Sequence, residues 1–343
     1  MTHQLQDKPS FPTIRDVARR AGVSVATVSR VLNRTAVIAP QTEQRVRAAI
    51  DELNFVPRAA AQNLSNRKTN VIGLLLPEIG WDNFFPPMLR GIEAGCYDHG
   101  FEVLIYSTHH PASTRELHRT VGEHNTDGLL LFTDCLSDEE IVRLNRRGFP
   151  LVLLHRSPPD GLDIPHVVFE NKAGARRMVD HLLDVHGYRR IAFLTGQENN
   201  EDALWRLRGY QEALETHSLP FDPSLVRSGG FSETIAQHTV TGWLAQGLTC
   251  DAIFAADDDS AYGALNALQQ AGWRVPQDMP VVGFDDSPTS RLLSPPLTTV
   301  RAPIEEAGYQ AAEMLAALIH TGHAPSQLLL PTELVVRRSC GCL

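Results

Sequence analysis

The chain has 343 residues, of which 43% are hydrophobic and 21% charged. That composition belongs to a globular protein long enough for two or three domains, and it excludes collagen-like, disordered and coiled-coil classes. The net charge of −9 hides an asymmetry: residues 1–70 hold eleven Lys/Arg against five Asp/Glu, a net +6, whereas the rest holds twenty against thirty-five, a net −15.

A small basic module on an acidic body suits a polyanion-binding head whose body repels the same polyanion. The N-terminal stretch MTHQLQDKPSFP has no apolar signal core, and apolar runs such as Val71 to Leu76 are too short to cross a bilayer, so a cytoplasmic location without membrane contact is expected. Five scattered cysteines, Cys96, Cys135, Cys250, Cys340 and Cys342, suit a reducing compartment. Two thiols at a chain end make a poor metal site, so Cys340-Gly341-Cys342 reads as a frayed tail and no metal is expected.

Residues 1–11 read as a disordered tail. Ile14, Val17, Ala18 and Ala21 then form a helical stripe, with Thr13 as N-cap and Asp16 three residues on as its reciprocal partner. Gly22 ends that helix. Ser24 caps a second one running from Val25 to Asn33, with Val28, Val31 and Leu32 turned inward. Helix, tight glycine turn, helix is the arrangement that lays its second helix in the major groove of DNA. The outward residues fit that use, because they are small, hydroxylated or arginine where a solvated helix carries Glu and Lys. Val25 and Ala26 let the helix approach base edges and thymine methyls, and Arg30 reaches guanine O6/N7. Thr27, Ser29 and Asn33, flanked by Ser24 and Thr42, are candidates for phosphate oxygens. A third helix starts at Pro40-Gln41-Thr42-Glu43 and closes a small core with Val46, Ala49, Ile50 and Leu53. After Pro57, residues up to Leu64 read as a helix of about two turns, too short to be stable alone in water.

TIRDVARRAGVSVATVSRVLN, followed by Phe55-x-Pro57 and the Pro57/Ala61/Leu64 pattern, resembles the LacI/GalR family of bacterial transcription regulators, and the likeness runs from about Thr13 to Cys340. The resemblance implies a helix-turn-helix domain over residues 12–56 and a hinge helix and linker over 57–69. It implies that Val25, Ala26 and Arg30 read bases, and that the hinge residues Arg58, Ala61, Gln62 and Leu64 enter the minor groove beside a dimer mate. Leu64 there wedges a central CpG step.

Beyond residue 70, VIGLLL, FEVLIYS, GLLLF, PLVLL, HVVF, RIAFLT, DAIFAA and MPVVGF alternate with helical segments, which predicts parallel sheets covered by helices on both faces. The expected body is an α/β bilobed, periplasmic-binding-protein-like domain over 70–343. Lobe 1 is expected over about 70–168 and 298–325, and lobe 2 over about 169–297 and 326–343. Ligands of such sheets bind beyond the strands' carboxyl ends, in the cleft between lobes. Residues there include Asn83-Phe84-Phe85, His155-Arg156, Asp257-Asp258 and Asp285-Asp286. Carboxylates, an arginine fork and an aromatic wall are what a sugar pocket needs. Acidic residues after strands also cap helices, and Asp258 and Asp286 are read that way. Phe84, His155, Arg156, Trp205, Arg206, Asp257 and Asp285 are therefore the candidate effector residues. The family often carries arginines five and three residues before the glycine at 209. Here those positions are Leu204 and Arg206 with Trp205 between them, which implies one fewer hydroxyl clamp and a ring available for stacking.

No G-x-S-x-G elbow, H-E-x-x-H, G-x-G-x-x-G or P-loop is present, so no catalytic residue and no cofactor is expected. His109, His110, His118 and His124 lie in a polar stretch and read as solvated. The expected function is a repressor-type regulator that binds a double-stranded DNA operator and senses a small carbohydrate. The rival is a sugar-binding or sugar-processing protein on the same body, which would leave residues 1–65 unexplained. The chain ends after the strand-like ELVVRRS without the leucine heptads of a tetramer, so a homodimer is expected.

Overall fold

A computed structural model of the protein describes residues 12–33, 36–55, 68–77, 83–108, 121–133, 135–247 and 249–343, without the side chains of Asn33 and Thr108. The expected N-terminal tail, the hinge helix with Arg58, Ala61, Gln62 and Leu64, the side chain of Asn33, and His109, His110 and His118 lie outside the described residues. Two units divide the chain, Met1–Thr69 and Asn70–Leu343.

In the first unit, α1 (Ile14–Ala21) starts where the Thr13 backbone N–H and hydroxyl both donate to Asp16 Oδ2, at 2.9 and 2.6 Å. This gives an otherwise orphaned donor a partner and places a carboxylate at the positive helix end. Gly22, at φ 62°, makes the left-handed turn that a side chain would disfavour. Ser24 Oγ then accepts the Thr27 N–H at 3.1 Å and starts α2 (Val25–Asn33). With α3 (Pro40–Glu52), these helices bury Val17, Ala18, Ala21, Val28, Val31, Val46, Ala49 and Phe55 in one core. Leu32, Ile50 and Leu53, expected to face inward, are packed at its edge.

The second unit carries two parallel sheets. The first has the order β11-β5-β4-β3-β1-β2, formed by β1 (Val71–Pro77), β2 (Glu102–Thr108), β3 (Gly128–Phe132), β4 (Leu151–Leu154), β5 (His166–Phe169) and β11 (Gln327–Leu330). The second has the order β7-β6-β8-β9, from β6 (Ile191–Thr195), β7 (Val226–Ser228), β8 (Ala252–Ala255) and β9 (Val281–Val282). Strands β1, β3, β4 and β8 are buried almost end to end, because helices cover both faces and no position alternates toward water. The covering helices are α4 (Phe85–Asp98), α5 (Asp138–Arg146), α6 (Asn171–Asp184), α7 (Glu201–Thr216), α8 (Glu233–Ala245), α9 (Asp258–Gln270) and α10 (Ile304–Thr321).

The lobe exchange near the C-terminus differs from expectation. Residues 326–343 do not all join the second lobe: β11 pairs with β5 in the first sheet, in the register Gln327↔His166 to Leu330↔Phe169. The apolar run there places Leu328 and Leu330 against the first core. β10 (Thr299–Arg301) and β12 (Glu333–Val335) form an antiparallel ribbon, and β10 runs beside residues 282–285 that continue β9. After β12 the chain reaches the second lobe, where Ser339 exchanges backbone hydrogen bonds with Val281 and Pro296. The tail expected to fray is therefore packed, with Cys340 fully buried.

Candidate ligand cleft and nucleic-acid interface

The carboxyl ends of both sheets face one cleft, as expected for open parallel sheets. A hydrogen-bonded chain crosses it. From the end of β4, His155 Nδ1 lies 3.1 Å from Asp202 Oδ2 on α7. The other Asp202 oxygen accepts from Asn171 Nδ2 at 2.7 Å, and Asn171 Oδ1 accepts from Arg206 Nε at 2.8 Å. The Arg206 guanidinium also donates to the Ala256 carbonyl at 2.6 Å and stands 3.3 Å from Asp285 Oδ1. The ring of Phe284 lies under it at 3.8 Å from its central carbon, a desolvated cation–π contact. The imidazole of His155 sits among Phe84, Phe132 and Phe169, with ring centroids 4.8–5.2 Å away.

Two backbone conformations mark the cleft. His155 at φ 60° and Asp285 at φ 108° are both non-glycine residues in the left-handed region, a strain of about 1–3 kcal/mol each that surrounding packing must hold. Both present a buried polar atom, His155 Nε2 and Asp285 Oδ1, that makes no hydrogen bond among the described residues. The contact of Asp285 Oδ1 with Arg206 is one of charge proximity, its angle being too poor for a hydrogen bond. Atoms of this kind are suited to ligand hydroxyls.

The electrostatics are lopsided. Burial drives the Asp285 carboxyl well above the usual range, Arg206 pulls it back, and Asp257, Asp258 and Asp259 push it up again. Burial likewise raises Asp257 to about 7 and Asp258 to about 8. Asp202 goes the other way: burial acts to raise it, but His155, Arg206 and Asn171 together hold it below its ordinary value.

The two capping assignments change. Asp257 caps α9, its Oδ1 accepting the Ser260 N–H at 3.2 Å. Asp258 does not cap; it takes the Thr299 hydroxyl at 2.6 Å and the Ser287 N–H at 2.8 Å, because the first helical residue points back into the protein. Asp286 caps no helix either, and pairs with Arg301 at 2.8 Å and Arg337 at 2.5 Å. Phe84, His155, Arg206, Asp257 and Asp285 thus converge, whereas two candidates stand apart. Trp205 is 38% exposed; its indole N–H donates to Glu201 at 3.2 Å and its ring lies under Arg208. Arg156 pairs with Asp138 at 2.8 Å at the outer rim, beside an open recess of about 460 Å³ that Gln197 and Asn200 also line.

Sequence reading missed Asn171, Asp202, Asp259 and Ser287. Asn171 follows β5, so the carboxyl-end rule that found His155 would have found it too. Asp259 accepts from the Asn83 amide at 2.8 Å, and the Thr289 hydroxyl donates to Asn83 Oδ1 at 3.1 Å. These bonds and the His155–Asp202 contact clasp the lobes, leaving an inner cavity of about 10 Å³ between Asn83, Phe84, Asp258, Asp259, Asp285 and Ser287. That is room for about one water, so a larger ligand enters this inner space only when the lobes part.

On the head, Val25, Ala26 and Arg30 are all exposed along α2, Val25 by 42%, while Val28 and Val31 on the opposite side are buried. Arg30 forms no ion pair with a described residue, unlike Arg19, Arg20 and Arg47, which are paired to Asp16, Glu52 and Glu43. Thr27, Ser29 and Thr42 are half-buried and Ser24 is exposed, with its hydroxyl 2.9 Å from that of Thr27. Among the described residues no helix is long and apolar enough to cross a membrane.

Comparison with known proteins agrees with both parts. Residues 13–58 match the bacterial regulatory proteins of the lacI family, and residues 179–340 match the periplasmic binding protein-like domain. The chain is 36% identical to the ribose operon repressor of Halalkalibacterium halodurans, over 95% of this chain and 96% of that one. It is 34% identical to the HTH-type transcriptional regulator CelR of Thermobifida fusca, over 96% and 98%. Among solved structures, the lac repressor dimer bound to operator and the anti-inducer ONPF superposes with a TM-score of 0.80 at 27% identity, over 96% of this chain and 99% of that one. A CelR–cellobiose complex gives 0.69 at 32% identity over the same shares.

Proposed function

The chain belongs to the LacI family of bacterial regulatory proteins, and from that premise we propose that it is a cytoplasmic transcriptional repressor. It binds a palindromic operator as a homodimer and is released by a small carbohydrate held between its lobes. The observation that carries the DNA role is the exposed row Val25, Ala26 and Arg30 on a helix whose other side is core. Such a face has no use in solvent and fits the major groove. Ser24, Thr27, Ser29, Asn33 and Thr42 fix it on the phosphates, and Arg58, Ala61, Gln62 and Leu64 follow in the minor groove.

The effector reading rests on His155 Nε2 and Asp285 Oδ1, two buried atoms on opposite lobes facing one cleft, with Arg206 and Asp257 beside them. Relatives named for ribose and cellobiose favour a sugar over other small ligands. Coupling needs only that the sugar prefer one lobe arrangement and the operator the other, each then weakening the other equally. The relatives are regulators rather than enzymes, and no step of catalysis is assigned.

The test is selection of binding sites from random DNA with the full-length protein, followed by titration of the selected operator at several salt concentrations with and without a sugar panel. A palindromic consensus, affinity falling steeply with salt and release by one sugar class are expected. Equal binding to all sequences would overturn the operator reading, and failure of every sugar to move operator affinity would overturn the effector reading.

A further inference from the structure

Far along the sequence from one another, two imidazoles and two thiols converge on the second lobe. The ligating atoms of His181, His186, Cys340 and Cys342 all lie within 4.8 Å of one another. His181 is in the last turn of α6 and His186 just beyond it, where the helix ends and Gly187 turns the chain. The two cysteines arrive after β12 on a segment already fixed at Ser339, whose hydroxyl donates to the Val281 carbonyl and accepts the Thr298 N–H at 2.8 Å.

The surroundings are built around these four groups. Cys340 is fully buried and its Sγ accepts the Thr298 hydroxyl at 3.2 Å. Tyr188 donates to the Cys340 carbonyl at 3.2 Å and stacks on the His186 ring at 5.1 Å with 9° between planes, which holds that ring's orientation. Gly341, at φ 106°, lets both thiols turn to one side, and a β-carbon there would meet the His186 ring at 3.4 Å. Cys342 Sγ lies 3.4 Å from His186 Nε2 and 3.9 Å from His181 Nε2.

We propose that His181, His186, Cys340 and Cys342 form a tetrahedral site for a thiophilic divalent ion of the zinc class, which staples the segment after β12 to the second lobe. With metal–sulfur bonds of about 2.3 Å and metal–nitrogen bonds of about 2.0–2.1 Å, tetrahedral edges are about 3.3–3.8 Å. The two separations from Cys342 Sγ, 3.4 and 3.9 Å, are already near that range, and the other ligand atoms lie within 4.8 Å of one another. Two thiolates neutralise a divalent ion, so the loaded site carries no net charge into a partly buried place. The donor set has no carboxylate, which selects against magnesium and calcium and for zinc or cobalt. The metal adds stability because the unfolded chain, with its histidine pair more than 150 residues from its cysteine pair, has no preformed site.

The experiment uses the full chain, purified under reducing conditions, stripped with a chelator and titrated with cobalt(II). One cobalt per chain is expected, with thiolate-to-cobalt charge transfer and the intense visible bands of tetrahedral coordination, displaced by zinc(II). Cys342→Ser and His186→Gln each lose that spectrum, while Cys250→Ser, which removes a thiol outside the cluster, keeps it. Zinc raises the melting temperature of the stripped protein and of Cys250→Ser but not of the two ligand variants. Both substitutions lie at partly exposed positions, and a circular dichroism spectrum matching wild type establishes that each variant is folded. If either fails to fold, the cobalt spectrum of the wild type decides. Absence of that spectrum in the reduced wild type, its persistence in both ligand variants, or a Cys340–Cys342 disulfide that reforms in place of metal binding overturns the proposal.

Discussion

Arg206 and Asp285, 79 positions apart in the chain, face each other at 3.3 Å with side-chain exposures of 3% and 10%. The contact joins α7 to the end of β9 within the second lobe, and through Asn171 and Asp202 it reaches His155 of the first lobe. One buried cation thus organises both a carboxylate and a cross-lobe hydrogen-bond chain. Truncating Arg206 would leave Asp202 and Asp285 without the cation beside them.

Asp285→Leu keeps about the same shape and removes both carboxyl oxygens from the cleft. Sugar affinity should fall about 10-fold, the worth of one or two net hydrogen bonds of about 0.5–1.5 kcal/mol each. Operator affinity without sugar should stay at the wild-type value, since the head is untouched. Calorimetry and fluorescence anisotropy measure the two, and an unchanged sugar midpoint would remove Asp285 from the site.

Asn83→Ala deletes the bonds to Asp259 and Thr289 that help clasp the lobes. The open–closed balance of the sugar-free protein should move toward open by about 1–2 kcal/mol, two net hydrogen bonds' worth. Small-angle X-ray scattering should show a larger radius of gyration, and sugar should reverse it. An identical radius in variant and wild type would mean that the clasp lies elsewhere.

Acidity should affect stability through Asp257 and Asp258, raised by burial to about 7 and about 8. The folded protein keeps protons there that the unfolded chain releases near pH 4, so this contribution is whole below about pH 4 and is lost as pH climbs to about 8. Asp258→Asn mimics the protonated acid, its amide donating to Thr299 while its oxygen takes the Ser287 N–H. It should stabilise the body at about pH 8.5 by about 1–3 kcal/mol relative to wild type and have little effect at about pH 4. Denaturant melts at both pH values check this, and equal effects at the two would refute the burial argument.

Arg30→Ala and Thr27→Ala separate reading from positioning. Loss of the arginine should cost about 1–3 kcal/mol on the preferred operator and flatten one symmetric base position, whereas loss of the hydroxyl should weaken all sequences alike. Site selection with each variant measures the difference. An Arg30→Ala logo equal to that of wild type would contradict base reading.

What residues 13–53 become was legible in the sequence, because their folding signals are local. A capping pair three residues apart, one left-handed glycine and a helical apolar stripe act within a few residues of themselves, and α1, α2 and α3 form where those signals stand. Eight strands, β1 to β6 with β8 and β9, were legible too as short apolar runs, whereas β7, β10 and β11, short or partly exposed, were not. What only the tertiary structure decided depends on partners distant in sequence. β11 joins the first sheet because β5 offers it an edge, and Asp258 takes tertiary partners instead of capping because Thr299 and Ser287 wait there. The imidazoles at 181 and 186 meet the thiols at 340 and 342 for the same reason. Each pairing is set by how two lobes fold and cross over, and the free energy of such a contact exists only once the intervening chain has been placed.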